Sequence, residues 1–173
     1  RENVVSIARN IGYLPRSRKS ARATVSFFVD VSNVSPPPVS LTLKQGPVAT
    51  SSGTFANNSF IFSIISDITV SVTNGIAIFN NIPIYEGPLL TQTFTYNSRD
   101  YNQKFILPNS GIDMDLMSVF VKDSETATAS TRYTRQDNLF GAGKFTKSYF
   151  LQEVEDERYE LLFGDGIFGQ KLQ

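Results

Sequence analysis

The side chains best placed for acid–base chemistry form a run of carboxylates near the end of the chain, at Glu153, Glu155, Asp156 and Glu157. Two carboxyls that face each other across a cleft can act as general acid and general base, as in glycoside hydrolysis. That division needs burial to raise the pKa of one of them. Here the run separates two strand-like segments, which predicts an exposed hairpin tip. A solvated turn is therefore the favoured interpretation, and no catalytic residue is predicted.

A second acidic pair, Asp113 and Asp115, occurs in the string Gly-Ile-Asp-Met-Asp. Carboxylates at alternate positions can bind calcium, but a calcium loop also needs further oxygen ligands and usually a closing glutamate. That spacing does not follow here. The pair is predicted to lie in a polar turn, and no metal site is predicted.

The most distinctive local string is Gly164-Asp165-Gly166-Ile167-Phe168-Gly169. Its glycines are similar to those of phosphate-binding loops, but the Gly-Lys-Ser/Thr pattern and the dinucleotide-binding spacing are both missing. Asp165 would also repel a phosphate. The string predicts a tight turn, in which Asp165-Gly166 suits positive φ and the two apolar residues anchor the loop. It is a candidate packing corner or subunit contact, and both interpretations stay open; no cofactor is predicted.

The composition excludes several classes of chemistry. The 173 residues include no His and no Cys, so no Ser–His or Cys–His nucleophile and no His-containing metal site can form within them. The chain has 16 basic and 16 acidic residues, and this balance gives no electrostatic reason to expect nucleic acid as a partner. The basic run over residues 16–22 is interpreted as a solvated connector. No apolar run is long enough for a membrane span.

The hydrophobic pattern changes along the chain. Apolar residues from Val4 to Ile11 follow the helical i, i+3, i+4, i+7 spacing. From Ala23 the period becomes two, which predicts a strand with one buried face. The strongest hairpin signal is Asn74-Gly75, because both residues tolerate the positive φ of a type I′ turn. A two-residue loop there predicts that Val72 faces Ala77, with Val70–Phe79 and Ser71–Ile78 as the next pairs.

The second half continues the strand pattern. Predicted strands follow at residues 90–96, 104–107, 116–122, 126–134, 147–152 and 158–163. The whole chain is predicted to be mainly β: a short N-terminal helix, then an antiparallel β-sandwich-like fold or two stacked small β units. The predicted domains are a helix and basic linker over 1–22, a first β unit over 23–85 and a second over 86–173. Both ends are expected to be cuts within a longer chain.

Several stretches together resemble the baseplate wedge protein of contractile-tailed bacteriophages and, more loosely, the wider J-like baseplate family. The strongest lie near the end of the chain: Tyr149-Phe150-Leu151-Gln152-Glu153, Asp156-Glu157-Arg158-Tyr159-Glu160, and residues 163–172. Further stretches are Ile84-Tyr85-Glu86-Gly87, residues 91–96, residues 103–109, Asn10-Ile11-Gly12-Tyr13 and Pro15-Arg16-Ser17. Residues 34–58 are not part of the resemblance.

The resemblance implies a structural role in the virion. Wedge proteins of that family associate with themselves and with other wedge proteins, and they form a ring around the tail hub. No catalytic residue, cofactor or small-molecule substrate comes with the family. The expected location is the tail baseplate, after assembly in the host cytoplasm. Two rival hypotheses remain: a glycan- or receptor-binding β-sandwich domain of a tail or adhesin protein, and a carboxylate-based glycosidase.

Overall fold

The computed structural model describes residues 17–51, 59–138 and 142–172, and this part of the chain is mainly β, as predicted. It contains eleven strands, which form one six-stranded and one five-stranded sheet. The helix predicted from Val4 to Ile11 lies outside the described residues. Within the described ranges, no helix is long and apolar enough to cross a membrane.

The chain divides into two compact units. One consists of Ser20–Thr91, and the other combines the segment that ends at Lys19 with Gln92–Gln173. In sequence, the first unit is therefore inserted between two parts of the second. The sequence pattern placed the divisions at 22/23 and 85/86, whereas the structure places them at 19/20 and 91/92.

The first unit is built around its longest strand, β6. Its strands are β1 (Arg22–Asp30), β2 (Ser40–Leu43), β3 (Gly46–Ser51), β4 (Phe60–Ile64), β5 (Ile68–Thr73) and β6 (Ile76–Glu86). The order across the sheet is β2-β5-β6-β4-β3, and β1 pairs antiparallel with β6. β5 and β4 therefore share the edge of β6 that β1 does not occupy.

The Asn74-Gly75 hairpin forms as predicted at its turn. Asn74 has a φ of 52° and Gly75 a φ of 76°, and Val72 pairs with Ala77. The predicted Val70–Phe79 and Ser71–Ile78 pairs are wrong. β5 leaves β6 after two pairs and continues along β2, so that Val70 pairs with Leu41. Phe79 pairs instead with Phe27 of β1.

A bulge in β6 keeps its apolar residues on one face. Ala77 and Phe79 are buried at odd positions, whereas Ile82 and Ile84 are buried at even positions. The register changes by one residue between the Val25–Ile82 and Phe27–Phe79 pairs, and Asn81 takes a φ of 53° there. The extra residue lies in β6, so both apolar sets face the same core and β1 stays regular.

The second unit contains the five remaining strands. They are β7 (Phe105–Ile106), β8 (Val119–Val121), β9 (Thr131–Arg135), β10 (Ser148–Glu153) and β11 (Tyr159–Phe163), in the order β7-β11-β10-β9-β8. The predicted hairpin of β10 and β11 is present and antiparallel. However, β9 and β10 are parallel, which corrects the expectation of a wholly antiparallel sheet.

Strand predictions in the second unit were partly too long. Residues 90–96 form no strand, because Phe94 and Tyr96 reach the core from an irregular segment that pairs with no neighbouring strand in the described residues. The core is rich in aromatic rings: Phe163 meets both Phe105 and Tyr133 edge to face. Each unit therefore has its own core. The predicted sandwich or stacking stays a prediction.

Candidate interaction site

The turn predicted at Gly164–Gly169 follows directly after β11 and is closed by its own acidic side chain. The Asp165 Oδ1 atom accepts hydrogen bonds from the backbone N–H groups of Ile167 at 2.8 Å and Phe168 at 2.9 Å. The N–H of Gly166 donates to the Gly169 carbonyl at 3.0 Å, and Gly166 has the positive φ that the sequence predicted. The bond from the Phe168 N–H, followed by the bond from the Ile167 N–H, lowers the pKa of the Asp165 carboxyl.

The two ends of this turn touch each other. A Cβ atom on Gly164 would overlap the backbone carbonyl group of Gly169, so only glycine fits. The turn is also tied to a neighbouring loop: the Gly169 N–H donates to the Gly143 carbonyl at 3.2 Å, and the Gln170 N–H to the Thr146 carbonyl at 2.9 Å. The string therefore forms a packing corner with a defined backbone.

The tip of the same corner is apolar and exposed. Ile167 retains 69% of its accessible surface and Phe168 43%. Because the backbone beneath them is hydrogen-bonded, these side chains can be presented to a partner at little cost in conformational entropy. The two interpretations of the string are thus compatible: the glycines and Asp165 build the corner, and the apolar pair is available for contact.

Glu155, Asp156 and Glu157 lie where they were predicted, at the tip of the β10–β11 hairpin, whereas Glu153 is the last residue of β10 and pairs with Tyr159. Glu155–Glu157 form a tight turn that is closed by the bond from the Arg158 N–H to the Glu155 carbonyl at 3.3 Å, and Asp156 and Glu157 both have positive φ, so the turn is not a regular helix. Glu157 pairs with Arg18 at 3.6 Å, and Asp156 with Arg158 at 3.5 Å. Glu155 and Asp156 are exposed. Glu153 and Glu157 are half-buried and line the same surface cavity, of about 220 Å³, in which Arg18 already pairs with Glu157.

The pair Asp113 and Asp115 belongs to a 3₁₀ turn at Met114–Leu116. The Asp113 side chain accepts the Asp115 N–H at 3.1 Å and caps this turn. The Asp115 carboxylate meets Lys19 at 2.7 Å and Arg135 at 3.4 Å. Two cations therefore already neutralise Asp115. In the described ranges no group of three or more His, Cys, Asp or Glu side chains is placed to hold a metal ion.

Residues 17–19 of the basic connector belong to the second unit and contact its later part. The Ser17 hydroxyl accepts the Met114 N–H at 3.2 Å, while Arg18 and Lys19 make the ion pairs with Glu157 and Asp115. Arg18 and Lys19 stay exposed, as expected of a solvated connector, and these contacts also attach the segment to residues far away in sequence. The Ser17 and Lys19 contacts span 97 and 96 residues in sequence, and the Arg18 contact spans more, so no local pattern could have revealed them.

The larger of the two best-formed surface cavities is open and shallow, with a volume of about 260 Å³. Its lining is mixed: Met114, Asp115, Met117, Arg135, Asp137 and Tyr149. Burial raises the pKa of the Tyr149 hydroxyl, and Arg135 opposes this change. Arg135 pairs with Asp115 and Asp137, and Lys19 pairs with Asp115, so that two cations balance the two carboxylates of the cavity.

Comparison with protein-family models finds none that matches the chain, and comparison with curated proteins finds none either.

Proposed function

We propose that this chain is a structural subunit of the contractile-tail baseplate wedge of a bacteriophage. It would form the baseplate ring by associating with copies of itself and with other wedge proteins, in the virion tail. Nucleic acid, membrane insertion and a small-molecule substrate have no part in this proposal. Sequence resemblance motivates it, most strongly over residues 163–172.

The observation that best supports the proposal is the corner at Gly164–Gly169. The most distinctive string of the resemblance folds into a rigid turn that exposes Ile167 and Phe168. Exposed apolar side chains on a fixed backbone suit a protein–protein contact, because their burial releases water without ordering a loop. A corner of this kind fits an assembly protein better than a protein that turns over a substrate.

Reconstitution of the baseplate tests this proposal. Full-length protein should join its neighbouring wedge proteins into rings that are visible by electron microscopy. The double substitution Ile167→Ser and Phe168→Ser should reduce ring formation strongly, while Phe145→Ser, at an 81% exposed position of the same unit, should leave it unchanged. A wild-type protein that remains monomeric and joins none of its neighbours would overturn the proposal.

The main rival is a glycan- or receptor-binding domain, which needs an exposed aromatic ring to stack on a sugar. Tyr101, at 92% exposure, meets that need, and it lies in a polar loop beside Asp100 and Asn102. Tyr133, Tyr149 and Tyr159 are buried in the core. Saturable binding on a glycan array that is lost in Tyr101→Ala would favour this rival.

A further inference from the structure

Strand β1 forms a long sheet edge. Its nine residues, Arg22–Asp30, pair on one side with β6, and no other strand in the described ranges pairs with them. The other edge strands are shorter: β2 has four residues and β3 has six. The open edge of β1 is therefore the longest in the part of the chain that the structure describes.

The register determines which backbone groups this edge presents. The Glu86 N–H donates to the Ala21 carbonyl and the Val31 N–H to the Gly75 carbonyl, so the odd-numbered residues of β1 bond to β6. In an antiparallel ladder, the alternate residues direct their N–H and C=O groups to the other side. Arg22, Thr24, Ser26, Phe28 and Asp30 therefore present these groups at the open edge. The pairing of Thr24 with Pro83 agrees, since proline has no N–H to donate.

The edge lacks the features that usually prevent strand addition. Natural sheet edges are protected by lysines, prolines, bulges or short length. Between Arg22 and Asp30 the sequence is Ala-Thr-Val-Ser-Phe-Phe-Val, with no charge and no proline, and the bulge of this pair lies in β6. Phe28 is 69% exposed on the outer face and faces the 55% exposed Ile78. An edge of this kind is suited to pairing with another strand.

The charged residues at the two ends of β1 indicate which strand would pair with this open edge. In an antiparallel pair of two β1 strands centred on Ser26, Arg22 of each copy lies opposite Asp30 of the other. Both residues are exposed: the Arg22 guanidinium lies over the Tyr85 ring, with its Cζ atom 5.5 Å from the ring centroid, and the Asp30 Oδ1 atom accepts the Ser32 N–H at 2.9 Å. In the same register, the residues whose backbone groups face the open edge lie opposite one another along the whole strand. The core-facing residues of both copies stay on one face of the joined sheet. We propose that β1 pairs with β1 of a second copy, which joins two six-stranded sheets into one.

The biological purpose of this dimer rests on the proposed assembly function, but the dimer can be disproved while the assembly function stands. It specifies one self-contact, in the first unit, whereas the corner at Gly164–Gly169 lies in the second. An edge contact of nine residues is small, so the expected product is a reversible dimer.

Charge reversal tests the predicted pairing by sedimentation velocity of the 173-residue chain. Wild type should dimerise reversibly below about 1 mM, the range of weak association. Arg22→Asp alone and Asp30→Arg alone should each weaken the dimer at least about tenfold, since like charges then face each other. An equimolar mixture of the two variants should dimerise again, because the aspartate introduced in one variant then faces the arginine introduced in the other. A monomeric wild type, or single variants that dimerise as well as wild type, would overturn the proposal.

Two further variants do not depend on the charges. Thr24→Pro removes an N–H at the open edge without removing a bond to β6, and it should abolish the dimer. Thr42→Pro, at the equivalent outward position of edge strand β2, should leave the dimer intact. Ser26→Cys gives up the bond that the Asn81 N–H donates to the Ser26 hydroxyl at 2.9 Å, and it places the only thiol of the chain at the residue on the proposed two-fold axis. Oxidation should give a covalent dimer that Thr42→Cys does not. A dimer that survives Thr24→Pro but is lost in Thr42→Pro would show that another surface pairs. That result would contradict this inference but not the assembly function.

Discussion

Gly164 and Gly169 lie so close together that a Cβ atom on Gly164 would overlap the Gly169 carbonyl group. The short string between them therefore closes into a corner whose two ends are in contact. This contact explains two of the glycines in the most distinctive string of the sequence through packing alone, and it leaves Ile167 and Phe168 as the residues available to a partner.

Gly164→Ala should destabilise the second unit by about 1–3 kcal/mol, the usual cost of forcing extra atoms into a packed site. Gly143→Ala is the matched control in the neighbouring loop, because its added Cβ would meet only the Thr146 Oγ1 atom at 3.7 Å. The control should change the free energy of unfolding by less than about 0.5 kcal/mol. Urea denaturation followed by tyrosine fluorescence measures both. Equal effects of the two substitutions would contradict the contact.

The Asp165 turn should open in acid. Its N–H donors hold the pKa of the carboxyl below its ordinary value of 3.8. The folded pKa is thus lower than the unfolded one, so the stabilisation is fully present above the unfolded value and is lost as pH falls through the folded value. The amide NMR signals of Ile167 and Phe168 should shift with a midpoint below pH 3.8. Asp165→Asn should remove this titration, and a midpoint above the ordinary value would show that the bonds do not form.

Gly75→Ala should destabilise the first unit by more than about 1 kcal/mol. Gly75 has a φ of 76°, and an added Cβ would lie 3.0 Å from the backbone of Ser32. Asn74→Gly keeps the left-handed conformation of the same turn, and its effect should be a few tenths of a kcal/mol at most. Thermal unfolding of the two variants distinguishes them. A tolerated Gly75→Ala would exclude the type I′ turn.

The Lys19–Asp115 ion pair should couple weakly despite its 2.7 Å separation. Both side chains are about half exposed, and exposed pairs contribute about 0–1 kcal/mol. A double-mutant cycle with Lys19→Ala and Asp115→Ala measures the coupling, which should decrease as salt is added. The Lys44–Asp67 pair, of the same length and similar exposure, is the reference in the first unit. A coupling above about 2 kcal/mol at Lys19 that persists in high salt would contradict this account.

Local signals in the sequence were reliable where short-range physics decides the conformation. Asn74-Gly75 predicted its turn and the first pair beyond it, because few residues tolerate positive φ at both positions. At Asp165-Gly166 the predicted positive φ is found at Gly166, and the β10–β11 hairpin also forms as predicted. By contrast, the threonine- and aromatic-rich composition of residues 90–96 predicted a strand that the structure lacks, because a strand also needs a neighbour to bond to.

The sequence by itself determined the mainly β character of the chain, its principal turns and the absence of histidine and cysteine chemistry. Only the tertiary structure decided the long-range contacts: the parallel pairing of β9 with β10, the contacts of residues 17–19 with the later part of their own unit, and the open edge of β1. The physical reason is that turns and alternation depend on φ, ψ and burial over a few residues. Strand order depends on contacts between residues far apart in sequence, where many registers satisfy the same local pattern.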